Sequence, residues 1–298
     1  MALAYDMLVI DLDGTLMRKD GSISPRNRAA VQLAREAGLE VVIATGRTMS
    51  ECRHALQAIE HEGLVIAAGG SLLCDGRTEE TLHRFTMLPE VVEEAMNMLV
   101  GSGIRGLILK DAHVAGYDYL LVGDAELDAA SRWWFETLPV RLRFANGILG
   151  ETGIGEDRHF GETVRAGAVG DRATLEPLAA EMNARFKGPP ARAMIQHWSA
   201  VTETEATGSA THLLEIFAPG VDKWRMIENV YNERGVKKGR VAAIGDGLND
   251  IMMIENAALG VAMANANSGV LKVADRQCGH HEQDGVTEAI ERIVAGEW

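Results

Sequence analysis

The chain has 298 residues and a net charge of −14, from 29 basic and 43 acidic side chains. A hydrophobic content of 47% and a charged content of 24% are typical of a globular protein and exclude a disordered or fibrous one. The acidic balance argues against nucleic acid or an anionic membrane as the main partner. No apolar run approaches the roughly 20 residues that span a bilayer.

The length allows two domains, each with its own core. The cysteines, Cys52, Cys74 and Cys278, are odd in number and widely spaced, so neither a disulfide framework nor a zinc site is expected. The amino-terminal sequence has no basic region and meets acidic residues too early for a signal peptide. We therefore expect a reducing, cytoplasmic location.

Predicted strands and helices alternate along the first third of the chain. Strands are predicted over residues 7–10, 39–44 and 63–68. The first helix begins after the N-cap Ser24, with Pro25 at its first position, and ends at Gly38. A second helix is predicted over residues 50–59. Apolar strands separated by helices predict a parallel sheet covered on both faces.

The carboxyl-terminal third repeats this pattern, whereas the middle of the chain differs from it. Near the end we predict helices over 223–234 and 251–254 and strands over 240–244 and 260–263. The middle has predicted helices over 89–100, 125–138 and 172–186, strands over 104–110, 114–122, 163–169, 193–201 and 211–217, and an irregular glycine-rich stretch over 147–161. The pattern predicts an α/β core domain with a doubly wound, mostly parallel sheet, formed by residues 1–85 and 218–298. An α+β domain of residues 86–217 is inserted into it.

The first predicted strand ends in two carboxylates, Asp11 and Asp13, followed by Gly14. Residues 11 and 13 share one face for as long as the strand persists. Two nearby like charges favour a cation between them, and oxygen ligands favour a hard ion such as Mg²⁺. The alternative is a strand that ends in a turn with two solvated acids.

Three more segments end predicted strands or begin the helices beside them: Thr45-Gly46-Arg47, Lys223, and Asp246-Gly247-Leu248-Asn249-Asp250. Loops at the carboxyl ends of strands form the ligand crevice of an open α/β sheet. Acids, a hydroxyl, a lysine and exposed glycine backbone at one place predict a site for a phosphate and Mg²⁺ together. The alternatives are helix capping for Thr45, Asn249 and Asp250, and a solvated surface position for Lys223.

In this order the four segments resemble the haloacid dehalogenase superfamily of phosphatases, and within it the Cof-type group with a type IIB cap. The matching motifs are DLDGTL at 11–16, ATGR at 44–47, the lysine of GVDKW at 220–224, and IGDGLNDIMMIENA at 244–257. The resemblance covers essentially the whole chain, because the insert lies where that group has its α+β cap. It implies a Rossmann-like core and a cap that closes over the substrate and selects it.

The resemblance further implies a Mg²⁺-dependent phosphatase that hydrolyses a small phosphorylated metabolite, such as a sugar phosphate, through an aspartyl-phosphate. A phosphotransferase or phosphomutase on the same scaffold is one alternative, and a non-catalytic phosphate-binding regulator is another. The oligomeric state stays open.

Residue roles follow from the same resemblance. Asp11 would be the nucleophile, and Asp13 the general acid and then the general base. Thr45 and Lys223 complete the implied catalytic set. Implied phosphate or substrate contacts are Gly14, Thr45, Gly46, Arg47, Lys223 and Asn249. Implied metal-binding residues are Asp11, Asp13 (through its main-chain carbonyl), Asp246 and Asp250.

The sequence departs from the group at two positions and leaves some features without a firm role. Ala68 precedes Gly69 where the group commonly has an asparagine, and Trp224 follows Lys223 where a glycine is usual. We expect Trp133, Trp134 and Trp198 in the core of the insert, and His280-His281 in an exposed loop. Cap contacts to substrate are expected around His113, Tyr117 and Tyr119.

Overall fold

The computed structural model describes residues 3–145, 157–199 and 211–298. Its strands are β1 (Met7–Asp11), β2 (Glu40–Ala44), β3 (Leu64–Ala67), β4 (Leu72–Asp75), β5 (Thr81–Arg84), β6 (Gly106–Lys110), β7 (Tyr119–Val122), β8 (Leu142–Ala145), β9 (Thr163–Gly170), β10 (Met194–Ser199), β11 (His212–Phe217), β12 (Val241–Gly245), β13 (Leu259–Ala262) and β14 (Arg276–Gln277). Its α-helices are α1 (Pro25–Glu36), α2 (Met49–Ala58), α3 (Pro89–Gly101), α4 (Ala112–Ala115), α5 (Ala129–Thr137), α6 (Arg172–Phe186), α7 (Lys223–Arg234), α8 (Ile251–Asn256), α9 (Ser268–Val273) and α10 (Gly285–Ala295).

The chain divides into two compact units. The first comprises Met1–His83 and Asp222–Trp298, and the second comprises Arg84–Val221. The first unit contains an eight-stranded sheet in the order β14-β13-β12-β1-β2-β3-β4-β5. The ladders from β14 to β3 are parallel, and β4 pairs antiparallel with β3. The predicted α/β fold with a mostly parallel sheet is confirmed, while β4 and β5 were not predicted.

The centre of this sheet is apolar because helices cover both faces of a parallel sheet. All five residues of β1 are buried, and Leu8 lies between Val41 of β2 and Ala242 of β12 in the register. Helix α1 begins as predicted, with the Ser24 hydroxyl accepting the amide hydrogen of Asn27 at 3.0 Å.

The second unit contains a six-stranded sheet in the order β10-β11-β9-β6-β7-β8. Neighbouring strands are antiparallel from β10 to β7, and β8 joins β7 in parallel. Helices α3 and α6 pack on the sheet through a core that includes Met96, Leu99, Leu175, Met182 and Phe186. The mixed sheet with its helices matches the predicted α+β insert.

Two predictions for the second unit are wrong. The strand predicted over residues 114–122 is a short helix, α4, followed by a strand that starts only at Tyr119. The Asp111 carboxylate caps α4, and Gly116 ends it with a φ of 80°.

The tryptophans are also not core residues. Trp133 is 44% exposed, because α5 buries Ala130 and Ser131 instead, and Trp134 and Trp198 are half-buried. Most of the irregular stretch expected over residues 147–161 lies outside the described residues.

Candidate active site

The predicted site residues meet at one edge of the first unit's sheet. Strands β1, β2 and β12 are neighbours there and run parallel. Asp11 is the last residue of β1, Thr45 follows β2, and Asp246 follows β12. Parallel strands present their carboxyl ends at one edge, so residues distant in sequence converge in the crevice position of an α/β sheet.

Lys223 joins two of the acids. It is the first residue of α7, and its Nζ donates to Asp11 Oδ1 at 2.6 Å and to Asp250 Oδ1 at 2.7 Å. The side chain is completely buried. Burial by itself disfavours the charged form, but the two carboxylates raise the pKa of Lys223 above its usual value. Lys223 therefore keeps its positive charge between Asp11 and Asp250.

Asp250 is held through both of its oxygens. Oδ1 accepts from Lys223, and Oδ2 accepts the backbone amide hydrogens of Asp246 at 3.0 Å and Gly247 at 2.9 Å. These bonds fix the turn after β12 and aim the carboxylate at Lys223. These bonds favour an orienting role for Asp250. Its carboxylate also belongs to the acidic cluster, because oxygens of Asp11, Asp246 and Asp250 lie within 4.8 Å of one another.

Gly14 lets the chain pass directly beside Asp246. Its φ is +76°, in the left-handed region that favours glycine, and a Cβ there would lie 2.3 Å from Asp246 Oδ2. The next residue, Thr15, donates its hydroxyl hydrogen to Asp246 Oδ1 at 3.0 Å. The loop after β1 thus packs against the acid that follows β12, and any side chain at position 14 would displace that acid.

The Asp13 carboxylate has a different hydrogen-bond partner from that of Asp11. Because β1 ends at Asp11, the two-residue periodicity of a strand no longer applies to Asp13. The Asp13 carboxylate is 51% exposed and accepts two hydrogen bonds from Arg47, from Nε at 2.8 Å and from Nη2 at 2.6 Å. Such a two-bond pair fixes the plane of the carboxylate. The two acids of the first motif therefore have different partners, one buried and one at the surface.

Thr45 is buried and does not cap a helix. Its hydroxyl accepts the amide hydrogen of Arg47 at 3.1 Å. The N-cap of α2 is Thr48, which forms a reciprocal pair of hydrogen bonds with Glu51. The capping alternative for Thr45 is wrong, and its side chain belongs to the loop at the sheet edge.

Asn249 lies beside Gly46, as expected if both face one ligand. A Cβ built on Gly46 would approach Asn249 Nδ2 to 3.6 Å. Backbone at a glycine lets a ligand approach closely, and a side-chain amide beside it is a donor suited to phosphate oxygens. The two loops that carry them follow β2 and β12, which flank β1.

The loop after β3 is hydrogen-bonded to the Thr45–Arg47 segment. The backbone amides of Ala68 and Gly69 donate to the carbonyls of Arg47 at 2.8 Å and Thr45 at 3.0 Å. Ala68 is completely buried with a φ of 52°, a conformation that asparagine adopts more readily than alanine. Alanine in place of the group's common asparagine therefore affects the packing of this loop, because the side chain at position 68 is buried.

Two polar residues of the site escaped the sequence analysis, Thr15 and Asn265. Each donates a hydrogen bond to the carboxylate of Asp246. Thr15 stood within the first motif, but nothing in its position indicated that its hydroxyl would face a residue 231 positions later. Asn265 follows β13, and the sequence around it carries no pattern that we could tie to the site.

The residues expected to contact substrate from the insert have mixed locations. His113 is exposed, but Tyr117 and Tyr119 are 3% and 6% exposed. The Tyr117 hydroxyl donates to Asp157 at 2.6 Å, and Tyr119 packs edge-on against Phe135. Both tyrosines stabilise the second unit from within, which argues against direct contact with a ligand.

The expectation of an exposed loop at His280-His281 is wrong for His281. Its side chain is buried, and its Nδ1 lies 2.9 Å from the carbonyl oxygen of Met17. The carboxyl-terminal segment therefore packs against the loop after β1.

The acids at the sheet edge fit a hard divalent cation. Burial and the neighbouring Asp250 raise the pKa of Asp11 well above its usual value. The same two causes raise the pKa of Asp246 to about 7. Asp11 and Asp246 thus lack sufficient positive charge nearby, even with Lys223 in place. An all-oxygen donor set with excess negative charge is what Mg²⁺ favours.

Comparison with known proteins identifies the family. A family model for haloacid dehalogenase-like hydrolases matches residues 8–148 and 156–290. The chain belongs to this family. The predicted resemblance is confirmed, and with it the predicted class of enzyme, a hydrolase of phosphoric monoesters.

Relatives of this hydrolase include named phosphatases. It is 27% identical over 290 residues to a 5-amino-6-(5-phospho-D-ribitylamino)uracil phosphatase of Bacillus subtilis (strain 168), covering 97% of this chain and 95% of the relative. It is 26% identical over 291 residues to a pyridoxal phosphate phosphatase of Escherichia coli (strain K12), covering 95% and 97%. The solved structure of a sugar phosphatase of subclass IIB superposes with a TM-score of 0.73 at 20% identity, covering 96% of this chain and 98% of the other, and shares the fold.

No helix in the described parts of this hydrolase combines the length and apolar character needed to cross a membrane.

Proposed function

We propose that this hydrolase is a Mg²⁺-dependent phosphatase that acts on a small phosphorylated metabolite through an aspartyl-phosphate. The observation that carries the proposal is the cluster at the sheet edge in which the buried Lys223 binds Asp11 at 2.6 Å beside Asp246 and Asp250. A purely structural ion pair of Lys223 with one acid would not need further carboxylates beside it, since buried negative charge without a neighbouring cation is costly. A site that receives a cation and a phosphate gains from it.

Asp11 is the proposed nucleophile. Oδ1 is held by Lys223, and among the described residues none donates a hydrogen bond to Oδ2. In the first step a carboxylate oxygen of Asp11 bonds to phosphorus, while the bond between phosphorus and the leaving oxygen breaks. Attack by Asp11 and later by water divides one difficult displacement at phosphorus into two easier ones.

Asp13 is the proposed general acid and base. It gives a proton to the leaving oxygen in the first step and takes a proton from water in the second. That water oxygen then bonds to phosphorus, the bond to Asp11 breaks, and inorganic phosphate leaves. The exposure of Asp13 suits exchange with substrate and water, and the two hydrogen bonds from Arg47 would hold its carboxylate in a defined plane.

The remaining polar groups would bind the phosphoryl group and the metal ion. Lys223 supplies a fixed positive charge, and Thr45, Gly46 and Asn249 supply donors at the same edge. Asp11 and Asp246 would hold Mg²⁺ with the main-chain carbonyl of Asp13, and the bound ion offsets negative charge on the phosphoryl oxygens.

The substrate class rests on the relatives. The two named phosphatases act on a phosphorylated ribitylaminouracil and on pyridoxal phosphate, and the fold neighbour is a sugar phosphatase. Each is a phosphomonoester of a small metabolite. We propose the same class here, with the unit of residues 84–221 acting as the cap that selects among such compounds.

The first experiment measures phosphate release from a panel of sugar phosphates, phosphorylated riboflavin precursors and pyridoxal phosphate. Each compound is assayed with Mg²⁺ and with a chelator. We expect release from at least one compound that requires Mg²⁺. Transfer of phosphate to another sugar without release would assign the chain to phosphotransferases instead, and binding without turnover of any compound would contradict an enzymatic role.

The raised pKa values predict how pH changes the effect of Mg²⁺ on stability. In the unfolded chain a carboxyl ionises near its ordinary pKa of 3.8, whereas folded Asp246 keeps its proton up to about pH 7. Between these values the folded, metal-free protein binds more protons than the unfolded chain, so its free energy of unfolding falls as pH rises. Mg²⁺ binds the ionised acids and reverses this loss.

We therefore expect Mg²⁺ to raise the unfolding temperature more at about pH 7.5 than at about pH 5.5, as followed by calorimetry with and without chelator. Asp246→Asn is the control, and in this variant the difference should shrink. Equal stabilisation by Mg²⁺ at both pH values would contradict the assignment of these acids to the metal site.

A further inference from the structure

Asn265 connects three parts of the first unit that the site depends on. It lies in the loop between β13 and α9. Its Nδ2 donates to the carbonyl oxygen of Gly14 at 2.8 Å and to Asp246 Oδ2 at 3.2 Å. Its Oδ1 accepts the backbone amide hydrogen of His281 at 3.0 Å. One side chain thus joins the loop after β1, the acid after β12 and the carboxyl-terminal segment.

The partners determine which way the amide group of Asn265 points. The Gly14 carbonyl and the Asp246 carboxylate accept hydrogen bonds, and the His281 amide donates one. A flipped amide would place its oxygen against two acceptors, so the observed orientation satisfies both amide hydrogens and the amide oxygen. Aspartate has the same shape but lacks the donors, and alanine lacks all three groups.

The carboxyl-terminal segment is hydrogen-bonded both to Asn265 and to the segment after β1. His281 is buried, and its Nδ1 hydrogen bonds to the carbonyl oxygen of Met17 at 2.9 Å. Gly14 and Met17 both belong to the segment after β1, so His281 and Asn265 hold that segment at two points. The carbonyls of this loop and the carboxylate of Asp246 are therefore fixed relative to each other.

The hydrogen bond from Asn265 leaves Asp246 free to bind a cation. Thr15 donates to Oδ1 and Asn265 donates to Oδ2, so each oxygen has one donor. A carboxylate oxygen has a second lone pair for a metal ion. One donor to each oxygen fixes the plane of the carboxylate and leaves a lone pair on each oxygen for a metal ion. Hydrogen-bonding partners of metal ligands commonly act in this way.

We propose that Asn265 is a positioning residue that orients Asp246 and the Gly14 loop for the divalent cation. This inference rests on the proposed Mg²⁺ site. Removal of a hydrogen-bonding partner of a metal ligand typically weakens metal binding about 10- to 100-fold. A residue that only stabilises the fold would lower the unfolding temperature and leave the affinity of the folded protein for Mg²⁺ unchanged.

The test is calorimetric titration of Mg²⁺ into the metal-free full-length protein and into Asn265→Ala. We expect the dissociation constant to rise about 10- to 100-fold in this variant. Asn267→Ala is the matched control, because Asn267 lies two residues away and its side chain accepts only the amide hydrogen of Gly269, at 2.9 Å, to cap α9. We expect its Mg²⁺ affinity to remain within about twofold of the wild type, even though the lost cap lowers stability.

If Asn265→Ala does not fold, Asn265→Ser replaces it, since serine retains a short donor. A wild-type protein that binds no Mg²⁺ would overturn the proposed function. A wild type that binds Mg²⁺ and an Asn265 variant with the same affinity would overturn the role of Asn265 alone. The Mg²⁺ concentration for half-maximal phosphate release provides a second readout, and it should rise more in the variant than the maximal rate falls.

Discussion

Replacing Asp11 by Asn is expected to reduce phosphate release at least about 10⁴-fold, because loss of a covalent nucleophile removes the step on which turnover depends. The amide keeps the shape of the carboxylate but does not attack phosphorus. The measurement is phosphate release at saturating substrate and Mg²⁺, over times long enough to detect the residual rate.

The same substitution is not expected to unfold the protein. Burial and the like charge of Asp250 already raise the pKa of Asp11, so its charged form is destabilised in the folded state. We expect the unfolding temperature of metal-free Asp11→Asn at neutral pH to equal or exceed that of the wild type. Asp20→Asn, at an exposed turn where the carboxylate accepts the Ser22 amide hydrogen, is the control with full activity. Activity of Asp11→Asn above one-tenth of the wild type would exclude Asp11 as the nucleophile.

Replacing Lys223 by Met is expected to affect stability and activity together. The substitution leaves Asp11 and Asp250 buried without the cation that binds both. Removing one partner of a buried ion pair typically costs about 3–5 kcal/mol of the free energy of unfolding. The loss should be greater at high pH than at low pH, because protonation of the acids relieves the uncompensated charge. Chemical denaturation at two pH values and phosphate-release assays provide the measurements.

A double variant separates charge from packing in this cluster. Asp11→Asn with Lys223→Met removes one negative and one positive charge, so it should be more stable than Lys223→Met alone. Lys238→Met is the surface control. Lys238 is exposed, with its Nζ 5.3 Å from the Trp224 ring, and its loss should cost about 1 kcal/mol or less. If the double variant is no more stable than Lys223→Met, charge imbalance is not the cause of the loss.

The elements that carry the site were predictable because their signals are local. Ser24 and Pro25 mark the start of α1 through capping chemistry, and α6 and α7 have the predicted bounds. Apolar strands that end in polar residues predicted which loops would share the sheet edge. Chain order and residue type were enough for these features.

The directions of the side chains were not predictable in the same way. β1 ends at Asp11, so the rule that places residues 11 and 13 on one face of a strand does not extend to Asp13, whose carboxylate pairs with Arg47. The partners of Asp246, Thr15 and Asn265, lie far from it along the chain or in segments without a motif. Tyr117 and Tyr119 have the polar-aromatic character of ligand contacts, yet tertiary packing buries them.

The sheet order has a consequence for how the protein is made. The strand that ends in Asp11 pairs on one side with residues 40–44 and on the other with residues 241–244. A chain still on the ribosome therefore completes the whole second unit before β12 exists, and until then one edge of β1 has no partner. Pairing between such distant strands is slow, and unpaired strand edges favour aggregation. Any truncated translation product that ends before residue 241 lacks the ladder between β1 and β12 and the acids that follow β12. Such a product has neither a complete sheet nor a complete site.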